Sequence, residues 1–136
     1  MGIDARLETG DGRVIAEVGD PLGLVNWLLE FADPASACLR FIDPYGQTVF
    51  NVAQIAQLKL ELVGIAPGLT AERLERSKRE YLAGAADWPA RAQDDAAAYA
   101  SSLCVDTLKE HRRKLVDLLS RGERVGPHHV VRFVGD

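Results

Sequence analysis

The chain has 136 residues, of which 47% are apolar and 26% charged, and its formal net charge at pH 7 is −4. This composition predicts one globular domain over residues 1–136 and excludes extended disorder. The acidic balance argues against a nucleic-acid binder, which needs a basic face toward the phosphates, and it favours a basic partner.

The N-terminus and the hydropathy of the chain predict a cytoplasmic protein that makes no membrane contact. Residues 1–6 (MGIDAR) lack the cationic start and the apolar run of a signal peptide. No apolar stretch approaches the roughly 20 residues that cross a bilayer.

The first third of the chain predicts a β-hairpin and then a helix. Residues 3–8 and 13–18 are β-prone and flank a Gly-Asp-Gly turn. Asp20 followed by Pro21 predicts a helix start, because a carboxylate caps a helix and proline suits its first position. Asp33-Pro34 predicts the end of that helix, since a residue before proline avoids the helical region.

A second hairpin is predicted in the middle of the chain. Its strands are expected at 38–43 and 47–50, joined by the type I turn Asp43-Pro44-Tyr45-Gly46. Asn51 then predicts a helix cap, and Pro67-Gly68 the end of that helix.

The last half of the chain predicts helices and one closing strand. Thr70 is expected to cap a third helix. The region 89–121 reads as helical, with a division near Ser101-Ser102, and residues 128–134 alternate like a strand.

The element order predicts a two-layer α+β fold, in which helices pack on one face of a four- or five-stranded, largely antiparallel or mixed sheet. Apolar periodicity predicts a set of buried core residues: Leu28, Phe41, Ile42, Ile55, Leu58, Leu108, Leu115 and Phe133.

The cysteines and histidines do not predict a metal site. Cys38 and Cys104 lie in apolar surroundings and are expected to be reduced, buried thiols, with a disulfide left open. His128 and His129 are neighbours, so on a strand they face opposite sides, and a zinc site would need His111 and a cysteine as well. We therefore predict no metal and no cofactor.

Motifs for catalysis are not found, and the sequence leans against an enzyme. Cys104 and His111 lie two helical turns apart, about 10 Å along the axis, which is too far for a hydrogen bond. Both are interpreted as members of a core stripe with Leu108, Leu115 and Leu118.

The densest group of polar residues surrounds the predicted turn at 43–46. The predicted binding residues are Arg40, Asp43, Tyr45, Gln47, Asn51 and Arg132. An arginine and several acceptors near a strand end suit a carboxylate, a phosphate or a peptide. The alternative is structural: Asp43 caps the turn, Asn51 caps a helix and Arg40 pairs with a carboxylate.

Two similar patterns, Leu39-Arg40-Phe41 and Val131-Arg132-Phe133, predict adjoining strands that place Arg40 and Arg132 close together on the face away from the core. Like charges directly opposite are unfavourable, so carboxylates of the first strand are expected to pair with them. The alternatives are a salt-bridged surface and a site for an anion or acidic peptide.

The segment at 39–51, LRFIDPYGQTVFN, resembles a stretch found in a family of small uncharacterised bacterial proteins, and residues 132–136, RFVGD, are similar to their C-termini. The family has no assigned function, so the resemblance implies a bacterial, cytoplasmic, stand-alone domain and no particular chemistry.

Two functions remain as hypotheses. The first is a non-enzymatic protein-binding domain, immunity-like or regulatory, whose partner is another protein and not nucleic acid or a membrane. The second is a small-molecule binder or enzyme that uses the polar cluster around Arg40 and Asp43, with a histidine from the last strand. The first hypothesis predicts a closed surface with an acidic or apolar patch, and the second a deep cleft in which these residues converge. The oligomeric state is left open.

Overall fold

A four-stranded antiparallel sheet joins the two ends of the chain to its middle. The computed structural model describes residues 2–136 and contains β1 (Ile3–Glu8), β2 (Val14–Val18), β3 (Gln47–Phe50) and β4 (Val130–Gly135). Their order in the sheet is β2-β1-β4-β3. The predicted α+β class and antiparallel sheet are confirmed.

Five helices accompany the sheet. They are α1 (Leu24–Leu29), α2 (Val52–Gly64), α3 (Ala71–Gly84), α4 (Ala90–Ser102) and α5 (Val105–Arg124), with 3₁₀ turns at Leu39–Phe41 and Ala66–Gly68. Within residues 2–136, no helix combines the length and apolar character that crossing a bilayer requires.

The core lies between the sheet and the helices. On β1, Ile3, Ala5 and Leu7 are fully buried, and on β4 Val131 and Phe133 are buried on the same face. The long helix α5 packs against α2, α1 and three strands. Of the predicted core residues, all except Phe41 are buried.

The predicted caps of α2 and α3 are confirmed. The side chain of Asn51 accepts a hydrogen bond from the Gln54 N–H, and the Gln54 side chain accepts one from the Asn51 N–H, which completes a capping box. Thr70 accepts from the N–H of Arg73 at the start of α3. Both caps are short-range, so the sequence alone specifies them.

Helix α1 begins later than predicted, because residues 20–23 form a turn. Gly23 adopts a left-handed φ of 69° at the N-cap position, where a side chain would be strained. Asp20 still serves the helix start, since its carboxylate accepts from the N–H groups of Leu24 (2.6 Å) and Val25 (3.0 Å).

The predicted strand at 38–43 is wrong. Residues 39–41 form a 3₁₀ turn instead, in which the Phe41 N–H donates to the Cys38 carbonyl. The carboxylate of Glu61 on α2 accepts from three consecutive backbone N–H groups, those of Ala37, Cys38 and Leu39. These bonds curl the segment over α2, and Phe41 is 59% exposed rather than buried.

The predicted division of the region 89–121 is confirmed, with the break at residues 103–104. Gly122 lies within α5, which continues to Arg124. Cys104 is exposed, so its placement in a buried stripe was wrong, whereas His111 and Leu115 are buried as expected. Both cysteines are free thiols.

Candidate functional site

Arg40 and Arg132 do not share a pair of strands, so the prediction of an adjoining pair is wrong. Arg40 lies within the 3₁₀ turn Leu39–Phe41, where its Nη1 donates to the Pro34 carbonyl (3.0 Å) and its guanidinium lies 4.6 Å from the Phe41 ring centroid. Arg132 on β4 lies opposite Arg6 on β1. The direct arginine pair therefore exists, but Arg6 takes the place predicted for Arg40.

Glu8 of the first strand pairs with Arg132, as the sequence predicted for carboxylates of that strand, and a second carboxylate near the arginine pair comes from β2. The Nε of Arg132 donates to both carboxylate oxygens of Glu8 at 3.1 Å, and its Nη1 donates to Gln47 at 2.9 Å. The Nε of Arg6 lies 3.7 Å from Glu17 on β2. This pattern matches the salt-bridged alternative.

The other predicted binding residues have separate structural partners. Asp43 accepts from the Tyr45 N–H (2.9 Å) within the turn, and Asn51 caps α2. Tyr45 is 85% exposed. None of these residues lies in the cleft described next, and their binding role stays a prediction.

A cleft of about 360 Å³ opens between α1, α3 and α4, and we call it the aromatic cleft. Each of the three helices contributes an aromatic side chain: Trp27 from α1, Tyr81 from α3 and Tyr99 from α4. The remaining lining residues are polar or small: Gly23, Asn26, Glu30, Ser77 and Glu80.

The aromatic rings form one cluster, in which each ring touches the others. Ring centroids lie 5.4 Å apart for Trp27 and Tyr81, 6.3 Å for Trp27 and Tyr99, and 6.0 Å for Tyr81 and Tyr99. Trp88 adds an edge contact to Tyr81 at 6.4 Å and is 44% exposed. The cluster packs the α3–α4 hairpin against α1 and at the same time walls the cleft.

Hydrogen bonds fix the tyrosine of α4 in this cluster. The Trp27 indole N–H donates to the Tyr99 hydroxyl (2.9 Å), which donates in turn to the Leu22 carbonyl (2.6 Å). Burial raises the pKa of Tyr99, although the bond from Trp27 partly opposes this effect. The phenol therefore remains a neutral donor at physiological pH.

The charge of the aromatic cleft is negative. Its lining includes two carboxylates, Glu30 after α1 and Glu80 on α3, and no lysine or arginine among the residues that the structure describes. Aromatic rings attract cations within about 6 Å of the ring centroid, and nearby carboxylates strengthen that attraction. The lining suits an organic cation and repels an anion.

A second candidate is a buried pair, His111 on α5 and Asp20, beside another cleft of about 460 Å³. The His111 Nε2 lies 3.8 Å from the Asp20 carboxylate and has no hydrogen-bond partner within residues 2–136. Burial lowers the pKa of His111, and Asp20 only partly offsets this effect. Asp20 is engaged by three backbone N–H groups, so we interpret the pair as structural.

Metal binding finds no support in the arrangement of ligands. Across residues 2–136, no three side chains of histidine, cysteine, aspartate or glutamate are grouped as a metal site would require.

The exposed thiol of Cys104 lies 3.0 Å from the Thr107 hydroxyl, and that bond lowers the pKa of Cys104.

Sequence reasoning missed most of the aromatic cleft, because its walls come from three helices whose contacts are tertiary. Neither the three aromatic residues Trp27, Tyr81 and Tyr99 nor the two glutamates were singled out as site residues. One signal was available: Tyr99 is the single aromatic residue of an alanine-rich helix, whose small side chains Ala96 and Ala100 allow close packing.

Comparison with known proteins adds no relative. The chain matches no protein-family model, no curated protein and no solved structure.

Proposed function

We propose that this protein is a non-enzymatic protein-binding domain that captures a lysine or arginine side chain of a basic partner in the aromatic cleft. One observation carries the proposal: three packed aromatic rings and two carboxylates line a cleft without a basic side chain among the described residues. The net charge of −4 favours the approach of a basic partner.

Several features support binding rather than catalysis. The hydroxyl of Tyr99 is occupied by Trp27 and Leu22, and the other hydroxyls of the lining belong to Ser77 and Tyr81. No histidine lines the cleft within the described chain, so Ser77 has no imidazole beside it of the kind that activates a serine nucleophile. The enzyme alternative around Arg40 and Asp43 is less favoured, because both side chains serve local turns.

The bacterial and cytoplasmic setting belongs to the same proposal. A small acidic domain that neutralises or regulates a basic protein acts where that partner is made or delivered. The resemblance of residues 39–51 to bacterial proteins supports this setting.

A fluorescence titration tests the proposal. The variant Trp88→Phe leaves Trp27 as the single tryptophan, so its emission reports on the cleft. We expect saturable quenching or a spectral shift with a short lysine peptide, and no change with the same peptide carrying norleucine. An equal response to both peptides would contradict cation recognition, and a response to free N-acetyl-lysine amide of equal strength would indicate a small-molecule site.

A charge-neutral variant supplies the matched control. The double variant Glu30→Gln/Glu80→Gln is expected to weaken lysine-peptide binding by about tenfold or more, through loss of charge beside the rings. The double variant Asp94→Asn/Asp95→Asn makes the same change of charge on exposed positions of α4 outside the cleft, and is expected to bind normally. Equal weakening by both would show that only net charge matters.

A further inference from the structure

Trp27 and Tyr99 present ring surface to the aromatic cleft, because their polar atoms are already engaged. The Trp27 indole N–H donates to the Tyr99 hydroxyl at 2.9 Å, and that hydroxyl donates to the Leu22 carbonyl at 2.6 Å. Trp27 is only 7% exposed, whereas Tyr81 and Tyr99 are half-buried, so the two tyrosine rings supply most of the aromatic surface that a ligand can reach. A cation at this part of the wall therefore meets aromatic surface and finds its hydrogen-bond acceptors elsewhere.

The carboxylates of the aromatic cleft come from positions next to its rings. Glu30 follows Trp27 by three residues, about one helical turn, and Glu80 directly precedes Tyr81 on α3. Both glutamate side chains are exposed. Within residues 2–136, neither carboxylate has a hydrogen bond or an ion pair, so both are available as acceptors for a ligand.

A guanidinium fits this separation of rings and acceptors better than an ammonium. The guanidinium is planar, so its flat faces carry no N–H group and its donors point outward in the plane. One face can stack on a tyrosine ring while the edge donates to carboxylates beside that ring. The lysine ammonium directs its donors tetrahedrally and is more strongly hydrated, so contact with a ring removes water from donors that the ring does not satisfy.

The size and charge of the aromatic cleft suit one such side chain. Its volume of about 360 Å³ lies near the lower end of the roughly 300–1,000 Å³ found for small-ligand sites. No lysine or arginine lines it among the described residues, so an incoming guanidinium meets no like charge.

We infer that the aromatic cleft selects arginine over lysine, with the guanidinium stacked on the ring of Tyr81 or Tyr99 and hydrogen-bonded to Glu30 and Glu80. This selection rests on the proposed function, since it names the basic side chain that the partner protein places in the same cleft.

Four versions of one short peptide test the selection in the Trp88→Phe protein, whose remaining tryptophan, Trp27, reports on the cleft. At one position the peptides carry arginine, lysine, citrulline or norleucine. Citrulline keeps the planar shape of arginine but has no charge. We expect the arginine peptide to bind about tenfold more tightly than the lysine peptide, and the citrulline and norleucine peptides to give no saturable response.

The outcomes separate the selection from the proposed function, because only the ligand changes and the protein is the same in every titration. Binding of the lysine peptide as tight as that of the arginine peptide, or tighter, would overturn the selection and leave the proposed function intact. Absence of binding by both charged peptides would overturn the proposed function itself. Equal binding of the citrulline and arginine peptides would show that shape is recognised without charge, and would overturn both.

A dimethylated arginine separates the hydrogen bonds from the stacking. Asymmetric dimethylation keeps the charge and the plane of the guanidinium but removes the N–H groups of one nitrogen. We expect it to weaken binding by about threefold or more, and to matter less when Glu30→Gln/Glu80→Gln is added to the protein. The control Asp94→Asn/Asp95→Asn should keep the full effect. Unchanged or tighter binding of the dimethylated peptide would overturn the hydrogen bonds assigned to the two glutamates.

Discussion

Two carboxylates, Asp20 and Glu61, have the same structural role in very different surroundings. Asp20 accepts from the backbone N–H groups of Ile3, Leu24 and Val25, and thereby joins the start of β1 to the start of α1. Glu61 accepts from three consecutive N–H groups at residues 37–39 and shapes the 3₁₀ turn. Each carboxylate accepts hydrogen bonds from backbone N–H groups that have no acceptor in a helix or in the sheet.

The two sites differ in their access to water. Asp20 is 1% exposed, whereas Glu61 lies on a partly exposed flank of α2, where Gln57 also donates to it. Burial acts to raise the pKa of Glu61, but the hydrogen bonds from Leu39 and Gln57 outweigh that effect and keep the pKa below its ordinary value. An N–H cluster deep in the fold therefore depends on one side chain, whereas water can hydrogen-bond to a similar cluster near the surface when its carboxylate is removed.

The largest expected effect is the loss of the buried member. Asp20→Ala leaves three buried N–H groups without an acceptor, one on β1 and two in the first turn of α1, and is expected to lower the free energy of unfolding by about 3–5 kcal/mol. Urea denaturation followed by circular dichroism measures the change. The stability of Asp20→Asn, which keeps an acceptor oxygen, should fall between those of the native chain and Asp20→Ala. A loss below about 1 kcal/mol in Asp20→Ala would show that the buried N–H groups do not depend on this carboxylate.

The exposed member should matter less. Glu61→Ala is expected to cost about 1–2 kcal/mol, because water reaches the freed N–H groups. Hydrogen exchange should accelerate at Cys38 and Leu39, while exchange in β1 and α5 stays unchanged. Asp43→Ala, which removes a single exposed acceptor in the next turn, provides the control. A loss as large as that of Asp20→Ala would show that burial is not what separates the two sites.

The helix cap Asn51, which contacts only the first turn of α2, is expected to contribute less to stability. Asn51→Ala removes one half of the capping box of α2 and is expected to cost about 1 kcal/mol, whereas Asn51→Asp should be nearly neutral. Thermal unfolding distinguishes these variants. An effect of Asn51→Ala above about 3 kcal/mol would mean that this cap also organises tertiary contacts.

The smallest expected effect is a pH dependence of the free energy of unfolding, which arises from His111 beside Asp20. Burial lowers the pKa of His111 in the folded state, against the attraction of Asp20 and with a further lowering by Lys114. The unfolded chain then binds a proton first, so stability falls as the pH drops below about 6.5. Urea denaturation at a series of pH values between 7.5 and 5 should show this slope for the native chain and for His128→Gln, which changes an exposed histidine. The slope should be reduced in His111→Gln, and an unchanged slope would assign it to another group.

Much of the fold was predictable because its determinants are short-range. The caps Asn51 and Thr70 directly precede their helices. The alternation of apolar and polar residues along β1 and β4 indicates which side chains face the core. The 3₁₀ turn at 39–41 was not predictable in the same way, since the apolar residues of 38–43 fit a strand as well as a turn. Glu61, 22 residues after Leu39, decides between them through its hydrogen bonds.

The sequence by itself determined the α+β class, most of the core and, apart from the strand expected at 38–43, the order of the elements. Only the tertiary structure decided which residues meet. It placed Arg6 rather than Arg40 opposite Arg132, because strand order and register depend on the whole sheet. It also brought Trp27, Tyr81 and Tyr99 together, because the aromatic cleft exists only where α1, α3 and α4 converge, and no local pattern encodes that convergence.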